Sequence, residues 1–150
     1  MALEKVLLAV GPNDANRTDE LANTVIDIAG PAGAEVVVAH VFTDDEYETV
    51  VDRLEFSAVA GADPDEVADR HTTVRELHQL LDEADIRTNV RGAVGDHGDK
   101  IVALAKDASA DLVAVGGRKR SPAGKAVFGS TAQEVMLNAP CPVTFVRSEE

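Results

Sequence analysis

Five short apolar runs, separated by stretches of helical periodicity, limit what this chain can fold into. Val6-Leu7-Leu8-Ala9-Val10 and Val36-Val37-Val38-Ala39-His40-Val41 lack polar alternation, so each reads as a strand covered on both faces of a parallel sheet. Asp111-Leu112-Val113-Ala114-Val115 and Val143-Thr144-Phe145-Val146 supply strands four and five. Ile86 to Val94 alternates more, which places the third strand at a sheet edge with one wetter face. A first helix opens at Thr18-Asp19-Glu20, with acids at its positive end, and stops at Gly30-Pro31. Leu21, Val25 and Ile28 line its apolar face, with Ala22, Ile26 and Ala29 beside them. Asp65 to Glu83 reads as one helix with Val67, Val74, Leu77 and Leu81 on one side. Gly95-Asp96-His97-Gly98-Asp99 turns into another helix, carrying Ile101, Leu104, Ala105 and Ala108. Ala132 to Leu137 forms the last one, ended by Pro140-Cys141-Pro142. Phe42 to Ala62 is the least legible part. There Thr43-Asp44-Asp45-Glu46 is a polar exit, Tyr47 to Phe56 a candidate short helix, and Gly61-Ala62-Asp63-Pro64 a break.

Strands alternating with helices in this way build βαβ units. The expected class is α/β: a doubly wound, five-stranded parallel sheet with helices on both faces, Rossmann-like in plan. With no repeat, low-complexity tract or linker, residues 1–150 are expected to form a single domain. Ligands on such sheets sit outside the carboxyl ends of the strands, at a topological switch point. Here those ends are Gly11, Val41 and Gly116.

One connection at that end stands out. Gly116 to Thr131 joins strand four to the last helix and carries Arg118, Lys119, Arg120 and Lys125, four of 14 basic residues in a chain of net charge -13. A strand, a glycine-bearing loop and a helix start present backbone N–H groups to an anion. Gly129 lets a ligand approach the backbone, and Ser130 or Thr131 can cap the helix or donate to a phosphate. The competing reading is a plain helix cap behind a solvated basic turn.

Composition narrows the function classes. Aromatic residues are 3% with no Trp, which leaves no stacking platform for bases, and the acidic surface repels a nucleic-acid backbone. Such acidity fits a cytoplasm of high salt, where self-repulsion is screened, and a halophilic source is the expectation. A lone Cys141 allows no disulfide framework, and no apolar run reaches membrane-spanning length, so the chain reads as cytoplasmic. His71 and His78 lack a companion acid or Cys for a metal set, His97 reads as a helix-start residue, and His40 as a packed histidine. Asp44 and Asp45 read as a solvated acidic loop, with a metal–phosphate role as the alternative. Ser130 has no general base at a fixed spacing, and both the nucleophile-elbow pattern and Walker A are absent, since Ala126 follows Gly124-Lys125.

The order of elements, ending in a glycine loop and a Pro-Cys-Pro-Val strand, resembles the universal stress protein family. The resemblance runs from Val6 to Val146 and includes Gly95-Asp96 and Asp111 to Gly116. The family signature, Gly-x2-Gly-x9-Gly-Ser/Thr, falls on Gly116, Lys119 and Gly129-Ser130, so the middle glycine is replaced by Lys119. A lysine there either obstructs the phosphate or supplies charge to it. The resemblance implies an adenine nucleotide alpha hydrolase-like fold and a stress-response regulatory or binding module. Some members bind ATP, with Mg²⁺ entering only beside the nucleotide. Carried over, Gly116, Gly129, Ser130 and Thr131 hold ribose and phosphates, and the Val41 backbone meets adenine. Arg118 and Lys119 join this set on charge alone. The family's Asp after strand one falls on Gly11, with Asn13 and Asp14 two and three residues later. A homodimer through Val143 to Val146 is also implied. The alternative is a nucleotide-independent homodimeric interaction protein of the same fold. With no hydrolytic residue set visible, a slow ATPase is the third reading.

Overall fold

The computed structural model describes residues 3–11, 14–53, 63–118 and 129–148. Five strands, β1 (Lys5–Val10), β2 (Glu35–Phe42), β3 (Thr88–Val94), β4 (Leu112–Arg118) and β5 (Val143–Ser148), form one parallel sheet in the order β3-β2-β1-β4-β5. The helices are α1 (Thr18–Ala32), α2 (Asp44–Arg53), α3 (Pro64–Arg70), α4 (Thr72–Glu83), α5 (His97–Asp107) and α6 (Ser130–Asn138). This is the expected doubly wound α/β architecture. Among the described residues no helix is long and apolar enough to cross a membrane.

The unbroken apolar runs follow from two cores, because successive side chains of a strand point to opposite faces. Val6, Leu8, Val10, Val36 and Val38 face α1 and α4, meeting Leu21, Val25, Val74, Leu77 and Leu81. Leu7, Ala9, Val37, Ala39 and Val41 face α5 and α6, meeting Ile101, Leu104, Ala105 and Val135. Each fully buried Val or Leu contributes about 1.5–3 kcal/mol. β3 is an edge strand with its residues half-exposed, as its alternation predicts, and β5 is the other edge.

Local structure departs from the sequence reading in four places. First, α1 does not stop at Gly30-Pro31 but runs to Ala32. Gly30 has no Cβ to clash with the proline ring, and the helix ends one step beyond Ala32, at Gly33, whose φ of 67° is left-handed. There the Gly33 and Ala34 N–H groups donate to the Gly30 and Ala29 carbonyls at 3.1 and 3.0 Å. Second, Thr43 to Glu46 is a helix start rather than a polar exit. The Thr43 N–H donates to Glu46 Oε1 at 2.7 Å and the Glu46 N–H to Thr43 Oγ1 at 3.2 Å, a reciprocal capping box that opens α2. The candidate helix Tyr47 to Phe56 is therefore Asp44–Arg53, and residues 54–62 lie outside the described residues.

Third, the single helix read over Asp65 to Glu83 is two. His71 is extended, with φ −67° and ψ 132°, and separates α3 from α4. No Gly or Pro stands there; at the break the His71 ring stacks on His40. Fourth, β4 does not end at Gly116. Gly116 and Gly117 pair in register with Val146 and Arg147 of β5. A Cβ on Gly117 would stand 2.6 Å from Cε1 of Phe145, so this glycine makes room for an aromatic ring rather than opening a loop.

Candidate functional site

The sheet reverses its winding at β1, with β2 on one side and β4 on the other, so the crevice lies at the carboxyl ends of β1 and β4. Asp14 and Arg17, just past β1, line it. The Gly11 N–H donates to Asp14 Oδ2 at 2.6 Å, and the Asp14 N–H donates back to the Gly11 carbonyl at 3.2 Å. Arg17 Nε lies 3.0 Å from Asp14 Oδ1, with both side chains about nine-tenths buried. A Cβ on Gly116 would meet Asp14 Oδ1 at 3.1 Å and Arg17 Cδ at 3.2 Å. The Asp14–Arg17 pair thus spans the ends of β1 and β4. Burial raises the Asp14 pKa, opposed by the Gly11 N–H and the Arg17 guanidinium.

Of the residues chosen from sequence, Val41 is buried near the end of β2, one position past the last β1–β2 pair, Val10–His40. Gly116 lies beneath Asp14. Gly129 is the N-cap of α6, exposed, with open space where a Cβ would stand. Ser130 and Thr131 are not caps but the first residues inside α6, exposed and half-buried, and no side chain caps that turn. Arg118 ends β4, opposite Ser148. Lys119, with the rest of 119–128, lies outside the described residues.

Two groups were not singled out as site residues from sequence. Asp14 is three residues past Gly11, and only the 3-10 turn Asp14–Asn16 folds it back over the strand end. The Asp-x-x-Arg spacing to Arg17 was the available signal. The second is a set of histidines. His40 is 4% exposed, and its Nδ1 lies 2.8 Å from the Val10 carbonyl. Its ring stacks on His71 with centroids 4.3 Å apart and meets Phe42 edge-on at 4.5 Å. Burial, then the neighbouring His71, lowers the His40 pKa to about 4. His97 Nε2 lies 2.9 Å from Glu46 Oε1. Burial works against the Glu46 carboxylate, but the Thr43 amide and His97 outweigh it and lower its pKa.

Asp44 and Asp45 are exposed first-turn acids of α2. Among the described residues the carboxylates that crowd together are Asp96, Asp99 and Glu134, with oxygens within 4.8 Å of one another. Hydrogen bonding with Asp99 leads the effects that raise the Glu134 pKa, with the neighbouring Asp96 and Asp99 charges adding to it.

An open parallel sheet with a polar crevice at its switch point defines a doubly wound α/β protein of the kind that takes a ligand at its carboxyl end. The sequence profile described as the universal stress protein family matches residues 2–147, and the chain belongs to that family. It is 25% identical over 144 residues to a stress response protein, NhaX, of Bacillus subtilis, an overlap of 83% of this chain and 87% of the relative. The fold is shared with a universal stress protein solved in complex with cAMP, at TM-score 0.66 and 20% identity over 99% of this chain and 100% of that one. It is shared also with the protein from Archaeoglobus fulgidus in complex with dAMP, at TM-score 0.63 and 18% identity over 98% and 100%.

Proposed function

We propose that the carboxyl-end crevice binds an adenine nucleotide, with ATP and Mg²⁺ as the form to test, and that this binding regulates a stress response without turnover. Asp14 takes the part of the acid that the family resemblance assigns to the position of Gly11. The Val41 backbone meets the base. Gly116, Gly129, Ser130 and Thr131, with the charge of Arg118 and Lys119, receive ribose and phosphates. The observation that carries this reading is Asp14, held in the crevice by the Gly11 N–H at 2.6 Å despite its offset in sequence. The start of α6 supports it, since its N-cap is a glycine with no side chain to cap the turn and a helix N-terminus suits an anion. So do the cAMP and dAMP complexes of proteins with the same fold. Mg²⁺ enters only with the phosphates, whose charge it offsets.

The test is calorimetry with ATP, with and without Mg²⁺, in molar KCl. Wild type binds; Asp14→Asn, which loses a charged hydrogen-bond acceptor, and Gly129→Val, which fills the open space at the α6 start, each weaken binding about tenfold or more. Equal heats from wild type and Gly129→Val remove the loop from the site. The high-salt expectation is checked in the same buffer series, where stability rises with KCl as the repulsion among acids is screened.

A second reading is a homodimer that works through partners and needs no nucleotide. Lys119 in place of the signature's middle glycine favours it, as does Leu137, which is 76% exposed on α6 beside Met136 at 36%. In both readings the β5 edge, Val143 to Val146, pairs with its counterpart, which closes an otherwise open row of backbone groups. Protein purified without nucleotide, and a melting temperature unmoved by ATP, would select the second reading.

A further inference from the structure

The break between α3 and α4 is the one place where the local sequence and the fold disagree without a visible breaker. Residues 65–83 carry a continuous helical pattern, with Val67, Val74, Leu77 and Leu81 on a common side. The chain nevertheless turns extended at His71 and seats its ring on His40. An uninterrupted helix through His71 is therefore an available second arrangement of the same segment, held off by tertiary contacts. Those contacts are Val67 and Ala68 against Phe42, Pro64 and Ala68 against Gly92, the Asp65 carboxylate on the Gly92 N–H at 2.7 Å and 3.6 Å from Arg91 Nε, and the stacked imidazoles.

The stack tolerates only neutral rings. His40 is buried, with Nδ1 committed to the Val10 carbonyl, and His71 Nδ1 is buried without a hydrogen-bond partner. The titratable groups facing the pair are Glu46 and Tyr47 of α2 and His97 of α5; β1 contributes only the Val10 carbonyl. The Val10 carbonyl and Glu46 favour a charged ring, and Glu46 is already engaged by His97 and the Thr43 amide.

We infer that the His40–His71 stack is an acid-sensitive latch: protonation of the rings releases His71, α3 and α4 join into one helix, and α3 leaves the sheet. The sign follows from the burial. Both histidines have lowered pKa values in the closed form, His40 to about 4 from 6.5. The latch is thus fully closed above the ordinary value and weakens as pH falls from 6.5 toward 4. Each ring that gains a proton on opening raises the opening constant about tenfold per pH unit in that window. Opening bares Phe42, Val67 and Ala68 while leaving the two main cores intact.

The test is hydrogen exchange on the full chain in molar KCl, from about pH 7.5 to about pH 4.5, with rates corrected for intrinsic exchange, since opening is linked to proton uptake across that window. The Gly92 N–H, freed of the Asp65 carboxylate, and the amides of α3, then on a solvated helix end that frays, lose protection with falling pH while those of β1 keep theirs, and helical circular dichroism does not fall. His71→Phe keeps a stacked ring without a proton and flattens the α3 response. Should that variant fail to fold, the histidine ring resonances of wild type decide instead. Rings that titrate near 6.5 while α3 stays protected overturn the latch, as does an α3 response that merely follows β1 or survives unchanged in His71→Phe.

Discussion

Replacing Gly92 with Ala probes how closely α3 sits on the sheet. Gly92 lies in β3 opposite His40, and a Cβ built on it would overlap the Pro64 carbonyl, 2.6 Å from its carbon, and stand 3.0 Å from the Ala68 Cβ. Non-bonded carbons keep about 3.5–4.0 Å apart, so α3 must retreat by about 1 Å, and no rotamer relieves a clash with backbone. One response is strained packing, at about 1–3 kcal/mol. The other is detachment of α3, which exposes Val67 and Ala68 and loses the Asp65–Gly92 hydrogen bond, about 4 kcal/mol in sum. The smaller term governs, so we expect a loss of about 2–3 kcal/mol. In urea with an m-value of about 2 kcal/mol/M, the midpoint falls by about 1–1.5 M. The chain has no Trp, so circular dichroism in molar KCl is the readout. Gly33→Ala is the control: its φ is 67° with open space around it, and only the left-handed backbone penalty of about 1–2 kcal/mol applies. A Gly92→Ala midpoint at or above that of wild type would show that α3 does not rest on β3 as described.

Three further outcomes are expected. Gly117→Ala drives a methyl into the Phe145 ring and loosens the β4–β5 edge, costing about 1–3 kcal/mol by urea unfolding. Ser109→Gly stabilises by about 0.5–1 kcal/mol, because Ser109 ends α5 at a φ of 56° that glycine adopts freely; an unchanged melting temperature would contradict that backbone assignment. Glu46→Gln weakens the α2 cap and the His97 contact by about 1 kcal/mol at neutral pH. Because the Glu46 pKa is lowered in the fold, the gap from wild type is full above the ordinary value of 4.5 and closes as pH falls through the lower folded value. A gap that persists in acid would mean the carboxylate is not the group at work.

What the sequence made legible is what burial on two sides forces into it. Val6 to Val10 and Val36 to Val41 must be apolar at every position because each face meets a helix layer, and no alternative element explains such runs. The edge character of β3 was legible for the converse reason. Features set by a single distant contact were not. Nothing within residues 65–83 announces the break at His71, whose ring stacks on His40 of a distant strand. Gly116 and Gly117 look like loop glycines until Asp14 and Phe145 are seen packed against them. Asp14 itself is hidden by the Pro12-Asn13 spacing, which displaces the acid along the chain while the turn returns it to the strand end.

The distribution of buried polarity points to the same end of the sheet as the proposed site, without appeal to any motif. Among the described residues the buried polar side chains are Asp14, Arg17, Thr18, His40 and Thr73. Asp14, Arg17 and Thr18 follow β1, His40 lies near the end of β2, and Thr73 is in the first turn of α4, which runs back toward the start of β3. All five therefore stand at the carboxyl end of the sheet. At the amino end the polar contacts stay wet: Lys5 and Glu35 pair at 3.7 Å with side chains 35% and 22% exposed. Burying a polar group is unfavourable unless it is paired, and a fold selected for stability alone has no reason to treat its two ends differently. Burial disfavours the Asp14 carboxylate and raises its pKa, while the Gly11 N–H and the Arg17 guanidinium work against that rise. An ion pair buried at the crevice where doubly wound sheets take ligands, at a cost in desolvation, is what the proposed binding role of Asp14 calls for.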